Sequence, residues 1–544
     1  MVPGKAGSLW IVLIVTLIFS ACGRADHSGK KIFRYNETTG IASLDPAFSK
    51  NQSIMWAVHQ LYSTLVEVDE NLELKPLLAK DWQFSPDKKS ILFNLRTDIY
   101  FHDDAAFPGG KGRRLTSEDV RYSLGRIIDA ATASPGAWIF NNRVDSIKPF
   151  VVINDSTFQL NLLQPFHPIL GILSMQYCSI VPREAVEKYG TDFRRHAVGS
   201  GPFRFVAWEE GQALILKKND HYFEKDSAGV PLPYLDGIKV NFYDSKATEF
   251  LEFRQGRLDF INDIDASFKD EILTKTGNLK KQWEGTLQLN KHPYLNIEYF
   301  GILHDSNNVL LRNSPLKLKK IRQAINYAIN RKKMMLYLRN SIGTAAESGF
   351  VPQGLPSFDA AKVKGYSYDI EKSKQLLAEA GYPGGKGLPE IRLLTIPIYT
   401  NLASYVANEL KQVGINVQVE SIQKSLLLEQ TSKSQALFFR GSWIADYPDA
   451  ENYLSVFYSR NPAPPNYTRY NNPLFDQLYE RSLREENDSI RYELYRQMDR
   501  LIIEDAPVVP FWYDVALHLV HTNISGFYPN SLNMLELRRV KKNH

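Results

Sequence analysis

The chain has 544 residues, of which 44% are hydrophobic and 12% aromatic, so it is long and apolar enough for a large core and for two or three lobes. Its 65 basic and 60 acidic residues leave a formal net charge of +5. Because the two signs are interspersed, the charge gives no indication of nucleic-acid binding. The two cysteines, Cys22 and Cys178, are too few for a cysteine-based zinc site. Cys178 lies among apolar residues and is predicted to be a small core residue.

The N-terminal segment, residues 1–21, is predicted to be an export signal. Lys5 is its only charged residue, and an apolar run from Leu9 to Phe19 follows. This run is shorter than the roughly 20 residues of a membrane-spanning helix and is typical of a signal-peptide core; the alternative is a buried core helix. The small residues before Cys22 resemble a bacterial lipobox, although Phe19 stands where leucine is usual. That resemblance implies a diacylated Cys22 that anchors the protein to a membrane.

Strands and helices are mixed along the first part of the chain. Alternating or apolar runs bounded by turn residues predict strands at residues 31–38 and 90–101, a strand and turn at 65–76, and a hairpin at 199–219. A helix is predicted at 115–129, where Thr116 or Ser117 can cap the first turn. In the segment 319–338, apolar residues recur at helical spacing from Ile321 to Ile329 and form one helical face.

A later stretch is the most informative about the fold. Asp369 is placed to cap a helix that Gly381 ends, and a strand at 389–395, a helix at 402–413 and a strand at 415–422 follow. A strand, a helix and a strand of these lengths form a βαβ unit, so part of the sheet should be parallel. The pattern alone predicts an α/β protein with more than one lobe.

The sequence shows no pattern typical of catalysis. It contains neither the G-x-S-x-G elbow of hydrolases nor the H-E-x-x-H helix of zinc proteases. Two P-G-G-K-G runs, at 108–112 and 383–387, lack the Ser or Thr that would hold magnesium and are predicted to be turns. His518 and His521 lie three apart in a strand-like run, so they should point to opposite faces and have structural or surface roles. We expect no enzyme activity, no catalytic residue, no metal site and no cofactor.

The segment FFRGSWIADYPDAENYL, residues 438–454, places a cation and an anion on either side of a tryptophan. Arg440 and Asp446 frame Trp443 among Phe, Tyr and small residues. Such a pair can be ordinary surface, or it can hold a molecule with opposite charges at its two ends. The residues alone leave both interpretations open.

Eight segments, in this order, resemble the family 5 solute-binding proteins of ABC importers, whose best-known members are oligopeptide- and dipeptide-binding lipoproteins. The segments begin with SLDPAF and end with EDAPVVPFWY, and they are residues 43–48, 61–103, 115–127, 198–223, 318–334, 368–387, 443–454 and 504–513. Each segment alone is weak, and together they cover most of the chain after the signal.

The resemblance implies an α/β fold like that of class II periplasmic binding proteins: a two-lobed clamp with an additional domain and mixed sheets flanked by helices. Domain I would comprise residues 22–66, 196–293 and 514–544. Domain II would comprise residues 67–195, and domain III, the second ligand-binding lobe, residues 294–513. The first and third domains would close over ligand by a hinge.

The resemblance also implies a ligand site. Asp446 would pair with the α-ammonium of a peptide and Arg440 with the α-carboxylate, while Trp443 would form an apolar wall, with Ala445 and Tyr447 beside them. Two alternatives stay open: Asp446 can be a turn or helix-cap residue, and Arg440 can belong to a structural ion pair.

The expected function is that of a lipid-anchored, monomeric binding subunit, exported to the periplasm or the cell surface, that captures short peptides and delivers them to an ABC permease. Three alternatives remain open. The same clamp could bind a non-peptide solute, it could act as a peptide receptor or chaperone, or the protein could be an exported hydrolase.

Overall fold

The computed structural model describes residues 29–264 and 266–543. The predicted signal at 1–21 and the predicted lipidation site Cys22 therefore lie outside the described residues. None of the described helices combines the length and the apolar character that crossing a bilayer requires.

The first sheet joins two distant parts of the chain. Its strands, in spatial order, are Ile32–Asn36, Gly237–Asn241, Ala213–Lys218 and Phe203–Glu209. The first two are parallel and the remaining pairs are antiparallel. The strand predicted at 31–38 and the hairpin predicted at 199–219 are confirmed. The helix Gln52–Leu61 covers this sheet with the fully buried Trp56.

The second sheet is wholly antiparallel and lies between residues 79 and 161. Its strands, in spatial order, are Ala79–Phe84, Ser90–Leu95, Thr157–Asn161 and Phe150–Asn154. A short hairpin, Val66–Val68 with Leu74–Pro76, precedes it. The strand predicted at 90–101 is thus confirmed but ends earlier, at Leu95.

The helix Ser117–Ile128 packs on the second sheet with the apolar face that includes Val120 and Leu124. Thr116 is its N-cap residue, and the Asp119 carboxylate accepts a hydrogen bond from the Thr116 N–H at 2.8 Å. The helix predicted at 115–129 is confirmed, with the cap at the first of the two candidate positions.

The third sheet links the two lobes. Its strands, in spatial order, are Phe260–Asn262, Val508–His521, Leu287–Ile302, Phe438–Ile444, Ile391–Thr395 and Val417–Ser421, with Thr344–Ala345 beside the second of them. Two long antiparallel strands, Leu287–Ile302 and Val508–His521, run through both lobes. The C-terminal end of Val508–His521 pairs with Phe260–Asn262, and the C-terminal half of Leu287–Ile302 pairs with Phe438–Ile444.

The two long strands lose their regular pairing midway. Their register shifts between Pro293 and Ile297, next to the boundary predicted at residue 294. An irregularity of this kind removes ladder hydrogen bonds and bends the strand. We therefore expect the lobes to pivot here. The residue limits given above for domains I, II and III stay a prediction.

The βαβ unit predicted from the sequence is confirmed. The helix Thr400–Lys411 connects Ile391–Thr395 to Val417–Ser421, and these two strands are parallel. The preceding helix, Ile370–Glu379, has Asp369 as its N-cap, whose side chain accepts from the Lys372 N–H.

The segment 319–338, predicted to be helical, forms two helices, and the predicted face from Ile321 lies on the first of them. Lys319–Ala328 and Arg331–Arg339 are separated by an extended residue, Ile329, and by Asn330, which caps the second helix. The break places the buried Arg331 where its guanidinium donates to the backbone carbonyl of Pro510 at 2.6 Å. The helical spacing did not reveal this break, because the apolar residues continue up to it.

The remaining described helices surround these sheets. They are Ile169–Leu173, Arg183–Tyr189, Lys246–Arg254, Ala266–Ile272, Val309–Arg312, Lys424–Ser432, Glu451–Leu454, Pro473–Ser482 and Asp488–Asp505. A last short hairpin pairs Ile524–Ser525 with Lys541–Lys542.

Several smaller predictions are confirmed. Both P-G-G-K-G runs form tight turns with glycines at positive φ. Cys178 is a buried core residue. His518 packs against Phe260 with the rings tilted, and His521 stacks on Phe253, so the two histidines pack in different places.

Candidate functional site

A cavity of about 800 Å³ lies between the lobes, a size typical of small-molecule sites. Five parts of the chain supply most of its walls. They are the helix Gln52–Leu61 and the turn after it, the hairpin at 66–77, and the segments 174–179, 444–448 and 526–539. The cavity is therefore formed only when residues far apart in sequence come together.

Asp446 lies in the wall that belongs to the second lobe. Its side chain is exposed to the cavity, and Asn452 donates to its Oδ2 at 3.3 Å. Among the described cations, none forms an ion pair with it. Desolvation by the surrounding walls raises the pKa of the Asp446 carboxyl, although Asn452 and the more distant Arg143 oppose this rise. Asp446 is thus an anion in an enclosed place without a cation of its own.

The other residues of this segment differ in their positions. Ala445 lines the cavity, and its N–H donates to the Leu295 carbonyl at 2.9 Å. Trp443 is half-buried behind the wall, with its indole N–H donating to Asn452 Oδ1 at 2.8 Å. Tyr447 is buried and its hydroxyl donates to Glu451. Trp443 and Tyr447 therefore support the wall and do not form it.

Arg440 does not lie in the cavity wall. Its guanidinium makes two hydrogen bonds to the Glu298 carboxylate, at 2.5 and 2.6 Å, and stacks on the Tyr399 ring at 3.9 Å from the centroid. The Glu298 side chain is 0% exposed and that of Arg440 is 11% exposed. The structure therefore does not bring Arg440 together with Asp446, and the alternative of a structural ion pair describes Arg440 better.

A strand edge next to Asp446 has no strand partner. Phe438–Ile444 pairs along its whole length with Leu287–Ile302, but with Ile391–Thr395 only at Phe438 and Phe439. From Gly441 to Ile444 its second edge therefore faces no other strand among the described residues. Open edges of this kind pair readily with an extended chain.

The wall opposite this lobe carries a charged cluster that sequence reasoning missed. Arg538 pairs with Glu67 at 2.6 Å, with Glu224 at 2.5 Å and with Glu536 at 3.0 Å. His59 is 3.1 Å from Glu536. We name these five residues the Arg538 cluster. They come from distant parts of the chain, so no local pattern could have shown them.

Besides Lys75, which pairs with Asp69 and Glu73, two further cations line the cavity, Lys50 and Arg539. Both are exposed, and no carboxylate of the described residues lies within 4.0 Å of either charge. They are available to an anionic group of a bound molecule.

The comparison with protein families gives one match that covers most of the chain. The family described as "Bacterial extracellular solute-binding proteins, family 5 Middle" matches residues 73–464.

Three relatives match over nearly their whole length. The dipeptide-binding protein DppE of Bacillus subtilis is 23% identical, over 96% of this chain and 93% of the relative. Heme-binding protein A of Haemophilus influenzae is 24% identical, over 94% of both chains. The glutathione-binding protein GsiB of Shigella dysenteriae is 26% identical, over 95% of this chain and 94% of the relative.

Solved structures share the fold. HbpA2 from Haemophilus parasuis has a TM-score of 0.82 at 21% identity, over 94% of this chain and 100% of that chain. The periplasmic binding protein DppA of Helicobacter pylori, in complex with the peptide STSA, has a TM-score of 0.70 at 23% identity, over 94% of this chain and 98% of that chain. The predicted two-lobed fold is confirmed.

Proposed function

This chain belongs to the bacterial extracellular solute-binding proteins of family 5, and we propose that it captures short peptides and delivers them to an ABC permease. The observation that carries the proposal is Asp446, a carboxylate in the wall of the interlobe cavity that forms no ion pair in the described part of the chain. The family places the chain among extracytoplasmic binding proteins, and binding without chemistry is part of the proposal.

The proposed partner of Asp446 is the α-ammonium of a peptide. A buried charge is costly unless it meets an opposite charge and hydrogen bonds. An ammonium group supplies both, because it carries three donors and one positive charge. Asn452 already holds the carboxylate in place through its own hydrogen bond, so little ordering is needed when the ligand arrives.

The proposed partner of the peptide backbone is the open strand edge from Gly441 to Ile444. Main-chain pairing binds a peptide without depending on its side chains. The edge ends at Ile444, which lines the cavity beside Asp446. A peptide whose first residue is held at Asp446 therefore begins next to a strand to which it can add.

Lys50 and Arg539 are the proposed partners of the peptide carboxylate, in place of Arg440. Replacing either by alanine is expected to weaken the binding of an unblocked tripeptide about two- to fivefold, the usual contribution of a solvent-accessible charge pair. Isothermal titration calorimetry with the free tripeptide and its C-terminal amide measures this. The amide should bind the wild-type protein and the variants equally. Lys80→Ala, an exposed lysine outside the cavity, is the matched control, and an unchanged affinity in both Lys50→Ala and Arg539→Ala would exclude these partners.

Peptide affinity is expected to fall as pH falls, beginning above the ordinary pKa of an aspartate. The raised pKa of Asp446 in the free protein means that its carboxyl takes up a proton at a higher pH than an ordinary aspartate does. The ammonium needs the ionised form, so bound peptide lowers that pKa. Between the pKa of Asp446 in the free protein and its lower pKa in the complex, the association constant should decrease by up to about tenfold for each pH unit. Affinities measured from pH 7 to pH 4 for wild type and Asp446→Asn isolate this effect, and equal slopes for both would contradict it.

The remaining features of the proposal concern location and assembly. Residues 1–21 would direct export, Cys22 would carry the lipid that anchors the protein to the membrane, and the protein would act as a monomer beside its permease. Labelling of the full-length protein with a fatty-acid analogue tests the anchor. Loss of label in Cys22→Ala is the expected result.

Mass spectrometry of the ligand released from the purified protein tests the proposed function as a whole. The protein without residues 1–22 is purified and denatured, and the released molecules are identified. A set of short peptides is expected. A single non-peptide solute, such as the heme for which one relative is named, would show that the clamp is used for another ligand.

A further inference from the structure

The Arg538 cluster has an excess of negative charge. Three carboxylates, those of Glu67, Glu224 and Glu536, surround the single guanidinium of Arg538. The side chains of the acids are only 16%, 20% and 25% exposed, and that of Arg538 is 9% exposed. A partly buried site with more anions than cations attracts a further cation, because water screens the surplus charge poorly there.

An unused hydrogen-bond acceptor lies in the same wall. His59 Nε2 is 3.1 Å from the Glu536 carboxylate and His59 Nδ1 is 3.2 Å from Gln176 Nε2. With Nε2–H donating to Glu536, Nδ1 accepts from Gln176, and Gln176 Oε1 is left as an acceptor. Gln176 is 8% exposed, and its Oε1 has no hydrogen-bond partner within residues 29–264 and 266–543. Such a group costs free energy unless a ligand or water donates to it.

These two observations indicate the same kind of ligand group. The cluster offers carboxylate oxygens and an amide oxygen, all acceptors, and its net charge is negative. Burial raises the pKa of Glu67, and Glu224 and Glu536 add to this rise against the effect of Arg538. A bound cation would oppose this rise. The fitting groups are an ammonium or a guanidinium, which carry a positive charge and several donors.

We propose that the Arg538 cluster and Gln176 form a subsite for a cationic side chain, so that the protein prefers peptides containing lysine or arginine. This rests on the proposed function, since Asp446 would hold the α-ammonium and leave the second cation for the opposite wall. His59, Glu67, Gln176, Glu536 and Arg538 all line the same cavity as Asp446.

The test uses trialanine and peptides in which one residue at a time is replaced by lysine, norleucine or glutamate. Norleucine has the four-carbon side chain of lysine without the ammonium group. In calorimetric titrations of the wild-type protein, lysine at one position is expected to bind about tenfold more tightly than norleucine at that position. Equal affinities at all three positions, or a preference for glutamate through Lys50 and Arg539, would overturn the subsite and leave peptide binding intact.

The variant Glu67→Gln, which keeps the shape of the side chain, is expected to reduce the lysine-to-norleucine ratio to about threefold or less and to leave the affinity for trialanine unchanged. Glu73→Gln, an exposed acid outside the cavity wall, is the control. Thermal unfolding shows whether each variant is folded. If Glu67→Gln does not fold, the lysine-to-norleucine affinity ratio of the wild-type protein alone tests the subsite. If no peptide binds at all, the proposed function itself fails, which is a different result from equal binding.

Discussion

Asp446→Ala is expected to weaken the binding of an unblocked tripeptide by about 100-fold or more. Removing one partner of an enclosed, hydrogen-bonded charge pair costs about 2–5 kcal/mol in binding free energy, and tenfold in affinity corresponds to about 1.4 kcal/mol. The carboxylate has no other cation in ion-pair contact within the described chain, so the variant leaves no protein charge unpaired. The loss should therefore appear in affinity and hardly in thermal stability. Calorimetric titration and a melting curve measure both.

Two controls define this result. An N-acetylated peptide should bind wild type and Asp446→Ala with similar weak affinity, because it has no ammonium to pair. Asp69→Asn removes a negative charge from the same cavity, where Asp69 pairs with Lys75, and should have a much smaller effect. A loss below about threefold for Asp446→Ala would show that the ammonium is held elsewhere.

Glu298→Ala is expected to lower the free energy of unfolding by about 3–5 kcal/mol, the usual cost of leaving one partner of a buried ion pair alone. The Glu298 side chain is fully buried, and Arg440 is nearly so. Arg440 cannot release its proton in a protein, so it would remain a charge without a counterion. Urea unfolding monitored by circular dichroism gives the value, with Glu390→Ala, an exposed acid in the same lobe, as the control.

The reverse change, Arg440→Ala, should destabilise the protein less. Burial already raises the pKa of Glu298, so without Arg440 this carboxyl can take up a proton and become neutral. A carboxyl with a raised folded-state pKa favours the folded state at low pH, and that contribution is lost as pH rises. The variant should therefore lose stability as pH rises from 5 to 8. If Arg440→Ala instead lowers peptide affinity tenfold and leaves stability unchanged, Arg440 binds ligand after all.

The sequence predicted those features that depend on neighbouring residues. The hairpin at 199–219 and the βαβ unit after Asp369 were recognisable because alternation, helix caps and glycines act over a few positions. Asp446 was recognisable because the residues around it resemble a known family, and the structure places its side chain in the cavity wall.

Features that depend on distant partners were not predictable. Arg440 could be interpreted as a ligand contact only while its partner was unknown, and Glu298 lies 142 positions away. Arg538 and Glu67 are separated by 471 positions. The break at Asn330 depends on what Arg331 meets in a strand much later in the chain. In each case a long-range hydrogen bond determines the role of the residue.

Leu295, in the irregular stretch between the lobes, has a mechanical consequence. Its carbonyl accepts from Ala445, the neighbour of Asp446, while its own N–H donates to the Ser531 carbonyl at 2.9 Å. With the pivot expected in this stretch, Asp446 would lie close to the pivot axis, where a force has a short lever arm. A ligand held only there would stay bound at any opening angle and could not pull the lobes together, since closure needs contacts that improve on closing. The torque must come from groups farther out, on the opposite wall.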